Sequence, residues 1–288
     1  MAEAQRAYAE RSFTCRDGLR LYYRDYAGPA DSGVTALCLH GLTRNSRDFE
    51  DLAPILSRAR RVLALDVRGR GRSARDPKPE RYVPIVYAQD VLELLDEARV
   101  ERVAVIGTSM GGILALLLAA LRPEAIAGVV LNDIGPVVDP AGIARIAGYV
   151  GKSGEVTSWD AAAEAVKALN SAFFPDLEHA DWLRFARRMY REGSDGKLVP
   201  DYDPAIGLAT RSGGAVPGDL WALWTGLAAI PTLAIRGALS DILSESTLAE
   251  MARRKSGLEL LRVANRGHAP TLDEPECVAA IEAFLSRI

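Results

Sequence analysis

From residue 34 onward the chain alternates short unbroken apolar runs with longer stretches of helical spacing. The runs are VTALCLH (34–40), RVLALDV (61–67), RVAVIGTS (102–109), AIAGVVLND (125–133), IPTLAIRG (230–237) and LELLRVA (258–264). Runs of this length, without polar alternation, suit strands buried on both faces of a parallel sheet. Between them lie helix patterns: YAQDVLELLDEA (87–98), MGGILALLLAALRP (110–123), ESTLAEMARRK (245–255) and EPECVAAIEAFLSRI (274–288). Alternating strand and helix predicts an α/β fold, a mostly parallel, doubly wound sheet with right-handed crossovers. Ahead of it, RSFTCRDG and LRLYYRDYAG flank Asp17-Gly18, a dipeptide favoured in two-residue turns, and predict an antiparallel hairpin.

The alternation breaks once. From residue 136 to residue 228 the pattern is mostly helical (SWDAAAEAVKALNSAF, EHADWLRFARRMYRE, GDLWALWTGLAA), with no convincing strand. The expected organisation is therefore a core made of residues 1–135 and 229–288, interrupted by a helical cap over 136–228.

Composition narrows the classes. The 288 residues are 49% hydrophobic and 25% charged with a net charge of -3, which leaves no excess positive charge to hold a nucleic-acid backbone. Neither a signal peptide nor a run of about 18 apolar residues is evident, so a cytoplasmic enzyme off the membrane is expected. Cys15, Cys38 and Cys277 are odd in number and form no CxxC pair, which argues against a disulfide framework and against a zinc site.

The chemistry centres on GTSMGG (107–112). GTSMG fits G-x-S-x-G and stands between a strand pattern and a helix pattern, where such a turn presents its serine as a nucleophile. Ser109 is the candidate nucleophile. Of the three histidines, His268 follows the last apolar run and precedes the last helix, at the same sheet edge as Ser109; His179 lies in a polar part of the insertion, and His40 is expected to tie down a loop. Two acids end strands, Asp133 in VVLND and Asp241 after AIRG. Asp241 is the expected partner, because it is the nearest strand-following acid upstream of His268; Asp133 is the alternative, expected instead to order a loop beneath the cap. An oxyanion needs two converging N–H groups. Met110, after the nucleophile, supplies one; Leu42, freed by the turn at Gly41, supplies the other.

With HG at 40–41, DVRGRGRS at 66–73, GTSMGG at 107–112, Asp241 and GHAPTLDEPE at 267–276, the chain resembles the α/β-hydrolase family over nearly its whole length. The resemblance implies a serine hydrolase that forms and hydrolyses an acyl-enzyme, needs no metal or organic cofactor, and acts on a small-molecule ester or lactone. Serine at the elbow disfavours the epoxide hydrolases and haloalkane dehalogenases, which carry Asp there. The esterase, enol-lactonase and haloperoxidase-like group is the nearest. A C–C bond hydrolase, sharing SMGG, and a ligand-binding receptor on the same scaffold are the alternatives. By the same analogy the cap lines the substrate pocket, with Trp221 and Trp224, three apart on one helix, as candidate contacts. Arg44, just past the oxyanion loop, is a candidate for a substrate carboxylate, or else a salt-bridge partner of Asp48 or Glu50. Arg68, Arg70 and Arg72 are expected to form a structural, partly solvated cluster.

Overall fold

In the computed structural model, which describes residues 7–30, 33–152, 154–211 and 218–288, each of the six apolar runs becomes a strand. The opening hairpin pairs β1 (Ala9–Thr14) with β2 (Arg20–Tyr26). Its loop holds three residues rather than two: Cys15 N–H donates to the Leu19 carbonyl, and Gly18 takes a left-handed φ of 87°. A left-handed glycine ending a three-residue loop is the next most favoured hairpin solution.

β3 (Thr35–Leu39) leads through the short α1 (Leu52–Leu56) to β4 (Val62–Asp66), then α2 (Pro84–Glu97), β5 (Val103–Thr108), α3 (Met110–Leu121) and β6 (Ile126–Asn132). There the chain leaves the sheet. It runs through α4 (Pro140–Tyr149), α5 (Trp159–Asn170), α6 (His179–Met189), a small antiparallel pair β7 (Tyr190–Glu192) and β8 (Leu198–Pro200), α7 (Ile206–Arg211) and α8 (Leu220–Thr225). It returns as β9 (Thr232–Gly237), α9 (Glu245–Arg254), β10 (Glu259–Val263) and α10 (Pro275–Leu285). The eight-stranded sheet has the order β1-β2-β4-β3-β5-β6-β9-β10, parallel from β4 onward.

Successive residues of a strand face opposite ways, so each run serves two cores. In β3, Leu37 and Leu39 join the layer under α2 and α3, while Ala36 and Cys38 join the layer under α1 and α10. All three cysteines are free and buried. No described helix is long and apolar enough to cross a membrane.

Within the inserted segment, α5 and α6 close a small core of their own around Trp182, Phe174 and Val166. The β7–β8 pair is a departure from the mostly helical pattern, in which no strand is convincing, since strands of three residues are too short to show a period. α8 is helical as its pattern predicts, but it packs away from α5 and α6. Leu220, Trp224 and Leu227 pack into the core layer that contains α3, so the end of the insertion belongs physically to the sheet side.

Candidate active site

The turn after β5 holds Ser109 at φ 52°, ψ -115°, a strained backbone for a residue with a side chain. Two glycines make the turn possible. A Cβ on Gly107 would lie 2.3 Å from the Gly111 carbonyl oxygen, and one on Gly111 would lie 2.0 Å from that of Leu39. Ser109 N–H donates to the Asn132 carbonyl, and its own carbonyl accepts from Gly112 and Ile113, so the first turn of α3 grows directly from the serine.

His268, in the loop between β10 and α10, places Nε2 2.8 Å from Ser109 Oγ. Its Nδ1 lies 2.8 Å from Asp133 Oδ2. A carboxylate can only accept, so Nδ1 carries the proton and Nε2 is left to accept from the serine, a tautomer assigned from this geometry. Asp133 follows β6, is fully buried, and receives two further donors: Gly237 N–H on Oδ1 at 2.9 Å and the Ser240 hydroxyl on Oδ2 at 2.5 Å.

Asp241, the acid expected from chain order, does not reach the imidazole. Arg145 on α4 takes it, Nε to Oδ2 at 2.6 Å and Nη2 to Oδ1 at 2.8 Å. Burial pushes the Asp241 carboxyl up, but the Arg145 hydrogen bonds and charge outweigh it and hold it below the usual carboxylate range. The acid at the imidazole is thus the alternative one, Asp133.

His40 organises the loop after β3. Val67 N–H donates to its Nε2 at 3.1 Å, so Nδ1 carries the hydrogen and donates to the Gly41 carbonyl at 2.7 Å. Burial pushes the imidazole down to about 4, and it stays neutral. In a trans amide the C=O and N–H point opposite ways. Fixing the Gly41 carbonyl against His40 and Arg44 N–H therefore turns the Leu42 N–H to the other side. Met110 opens α3, and its N–H is among the helix's first four, which lack intrahelical acceptors. Gly41, Leu42, Ser109 and His268 all line one cavity of about 110 Å³.

Core loops and the inserted segment share the rest of that cavity. Ile146 and Tyr149 of α4, Leu169 of α5, and Phe185 and Arg188 of α6 face it. Arg44 lines it too, yet is held by Asp48 through Nε and Nη2 and stacks 4.5 Å from the Phe185 ring centre, so the salt-bridge expectation is the one realised. Arg188 is likewise bound to Glu50 and Asp51. Trp221 and Trp224 are corrected: neither lines the cavity. Trp224 is core on α3, and Trp221 lies under Arg254 at 3.9 Å, because α8 packs beside the sheet rather than over the serine.

His179 is exposed and bonded to Asp160. Of the arginine cluster only Arg72 is solvated; Arg68 and Arg70 are buried, and Arg68 meets Asp17, Asp76 and Asp90. Asn132 escapes sequence reasoning altogether. Its Nδ2 donates to Thr108 Oγ1 at 3.0 Å and to the Pro270 carbonyl at 2.8 Å, so one buried amide joins the serine strand to the histidine loop. Ser240 escaped as well; its only signal is that it precedes Asp241 in a strand-end loop. Among the described residues, no group of three or more His, Cys, Asp or Glu gathers to hold a metal.

Comparison with known proteins identifies the family. A family model described as alpha/beta hydrolase fold matches residues 36–275. The chain is 32% identical over 274 residues to a 3-hydroxybutyrate-oligomer hydrolase of Cupriavidus necator, covering 93% of each chain. It is 28% identical over 256 residues to a 2-(acetamidomethylene)succinate hydrolase of Mesorhizobium japonicum, covering 88% of each. A crystal structure of an alpha/beta hydrolase from Novosphingobium aromaticivorans superposes with a TM-score of 0.95 at 46% identity, over 99% of this chain and 100% of that one. The chain belongs to the α/β-hydrolase family and is a hydrolase of that fold.

Proposed function

We propose that this protein hydrolyses a small-molecule carboxylic ester or lactone through an acyl-enzyme on Ser109. The observation that carries the reading is the continuous relay from Ser109 Oγ through His268 to Asp133, with both links at 2.8 Å. His268 Nε2 takes the hydroxyl proton as Oγ attacks the carbonyl carbon. The imidazolium this creates is stabilised by Asp133, which Gly237 N–H and the Ser240 hydroxyl hold in place beside Nδ1. The oxyanion is received by the N–H groups of Leu42 and Met110. His268 then protonates the departing alkoxide, and a water deprotonated by the same nitrogen attacks the acyl-enzyme, releasing the acid and restoring Ser109.

An ester is favoured over a C–C bond by the name of the Cupriavidus necator relative, since an oligomer of a hydroxy acid is joined by esters. The substrate side is set by the cavity. Arg44 and Arg188 line it with their charges already met by carboxylates, and Ile146, Leu169 and Phe185 give an apolar wall, which fits a substrate presenting an uncharged acyl chain. In this reading the segment 136–228 acts as a cap that roofs the serine.

A p-nitrophenyl ester series beside a lactone panel tests the proposal, using wild type and Ser109→Ala. The expected result is a burst stoichiometric with enzyme and a +acyl mass on the wild type, both absent from the variant. Wild-type protein that turns over no member and is not labelled by a fluorophosphonate would overturn it.

A further inference from the structure

Arg70 has no place in the relay, yet it touches both segments that carry the oxyanion amides. Its Nε donates to the Leu42 carbonyl at 2.9 Å, and its Nη2 lies 3.6 Å from Met110 Sδ. The third contact, Nη1 to the Arg68 carbonyl at 2.8 Å, fastens the guanidinium to the loop after β4. One planar group thus spans the loop after β3, the loop after β4 and the first residue of α3.

Its charge is the second observation. Arg70 is fully buried, and among the described residues it forms no ion pair with a carboxylate. Arg68, two residues earlier and equally buried, has three. Arg70 has instead carbonyl oxygens and the ring faces of Tyr87 and Tyr82, at 4.7 and 5.8 Å. A buried cation without a counter-charge is costly to maintain. An anion that develops beside it lowers that cost, and fixed charge aimed at a developing oxyanion is among the strongest catalytic devices. His40, the other basic group behind this loop, is neutral and does not share the role.

We propose that Arg70 is a positioning residue of the oxyanion site, holding the Leu42 and Met110 segments in register and placing an uncompensated positive charge behind them. The proposal rests on the ester-hydrolase reading above. Arg70 touches no reacting atom. It acts through the two backbone segments and through its field, so its removal falls on the tetrahedral anion and spares the neutral substrate.

Arg70→Met and Arg70→Lys are compared with wild type, with active sites counted by fluorophosphonate. For a p-nitrophenyl ester, Arg70→Met is expected to lose about ten- to a hundredfold in kcat per titrated site, with KM changed less than about threefold. Inhibition by a boronic acid, which binds the serine as a tetrahedral anion, is expected to weaken by the same factor as kcat/KM. Arg70→Lys keeps the charge and not the three-way reach, and is expected to recover part of both losses. It also carries the test should Arg70→Met not fold, because it is still expected to lower kcat and boronate affinity together at constant KM. Titrated variants that turn over and bind boronate within about twofold of an active wild type, whatever their melting temperature, would overturn the role of Arg70 alone. An inactive, unlabelled wild type would overturn the hydrolase reading, and this proposal with it.

Discussion

Arg145 grips both carboxylate oxygens of Asp241, at 2.6 and 2.8 Å, and so fastens α4 to the loop after β9 a few residues from the relay. The pair is partly buried, with side-chain exposures of 24% and 22%. Its removal falls between the small cost of a surface pair and the larger cost of a buried one, and Asp241→Asn is expected to lower stability by about 1–2 kcal/mol at neutral pH. The Asp241 carboxyl is held below its ordinary range in the fold, so its contribution is complete above that range and is lost as pH falls through the folded value. Urea unfolding of wild type and variant should therefore differ at pH 7 and converge on acidification. A gap that widened in acid would contradict the pairing.

His40 makes the opposite kind of prediction, since it is a base kept neutral. Its pKa falls from an ordinary 6.5 to about 4 because it is buried, with the Arg70 charge adding to the effect. Between those values the unfolded chain binds a proton that the fold does not, so acid favours unfolding. Wild type is expected to lose about 3 kcal/mol over that interval from this residue. His40→Gln, although less stable at pH 7, should show a shallower slope. Equal slopes in the two proteins would rule the effect out.

Ser240 donates to the same Asp133 oxygen as His268 and accepts from Ile242 and Leu243 N–H. Removing the donor loosens the acid. Ser240→Ala is expected to lose about tenfold in kcat, the worth of one charge-assisted hydrogen bond, while Ser240→Thr retains most activity. Steady-state kinetics on titrated enzyme decides it, and an unchanged kcat in the alanine variant would remove Ser240 from the site.

The cavity walls can be read in the same assay. Phe185 lines the serine's cavity from α6, whereas Trp221 lies outside the cavity under Arg254. Phe185→Ala is expected to shift the preferred acyl length and raise KM several-fold, about the worth of a lost apolar contact. Trp221→Ala should leave kcat/KM within about twofold across the same ester series, and a selective loss there would return α8 to the substrate site.

The sheet was legible because buried parallel strands print their burial directly as unbroken apolar runs. Ser109 and His268 were legible because each follows such a run at one sheet edge. The acid was not. Asp133 and Asp241 are the same residue type at two strand ends, and what separates them is distant in sequence: Arg145, 96 positions from Asp241, claims one, and Ser240, 107 positions from Asp133, orients the other. Trp221 and Trp224 do share a helix face as their spacing implies, yet spacing carries no information on what that face meets, and α3 meets it. Arg70 and Asn132 were invisible as site residues, because each acts by bridging loops that only folding brings together.

The assignment of the acid is tested most directly by kcat on one ester for Asp133→Asn and Asp241→Asn, each corrected for titratable Ser109. With His268 Nδ1 at 2.8 Å from Asp133, Asp133→Asn should lose roughly a thousandfold or more while Asp241→Asn stays within about tenfold of wild type. The reverse order would contradict the relay described here and return the acid's role to Asp241.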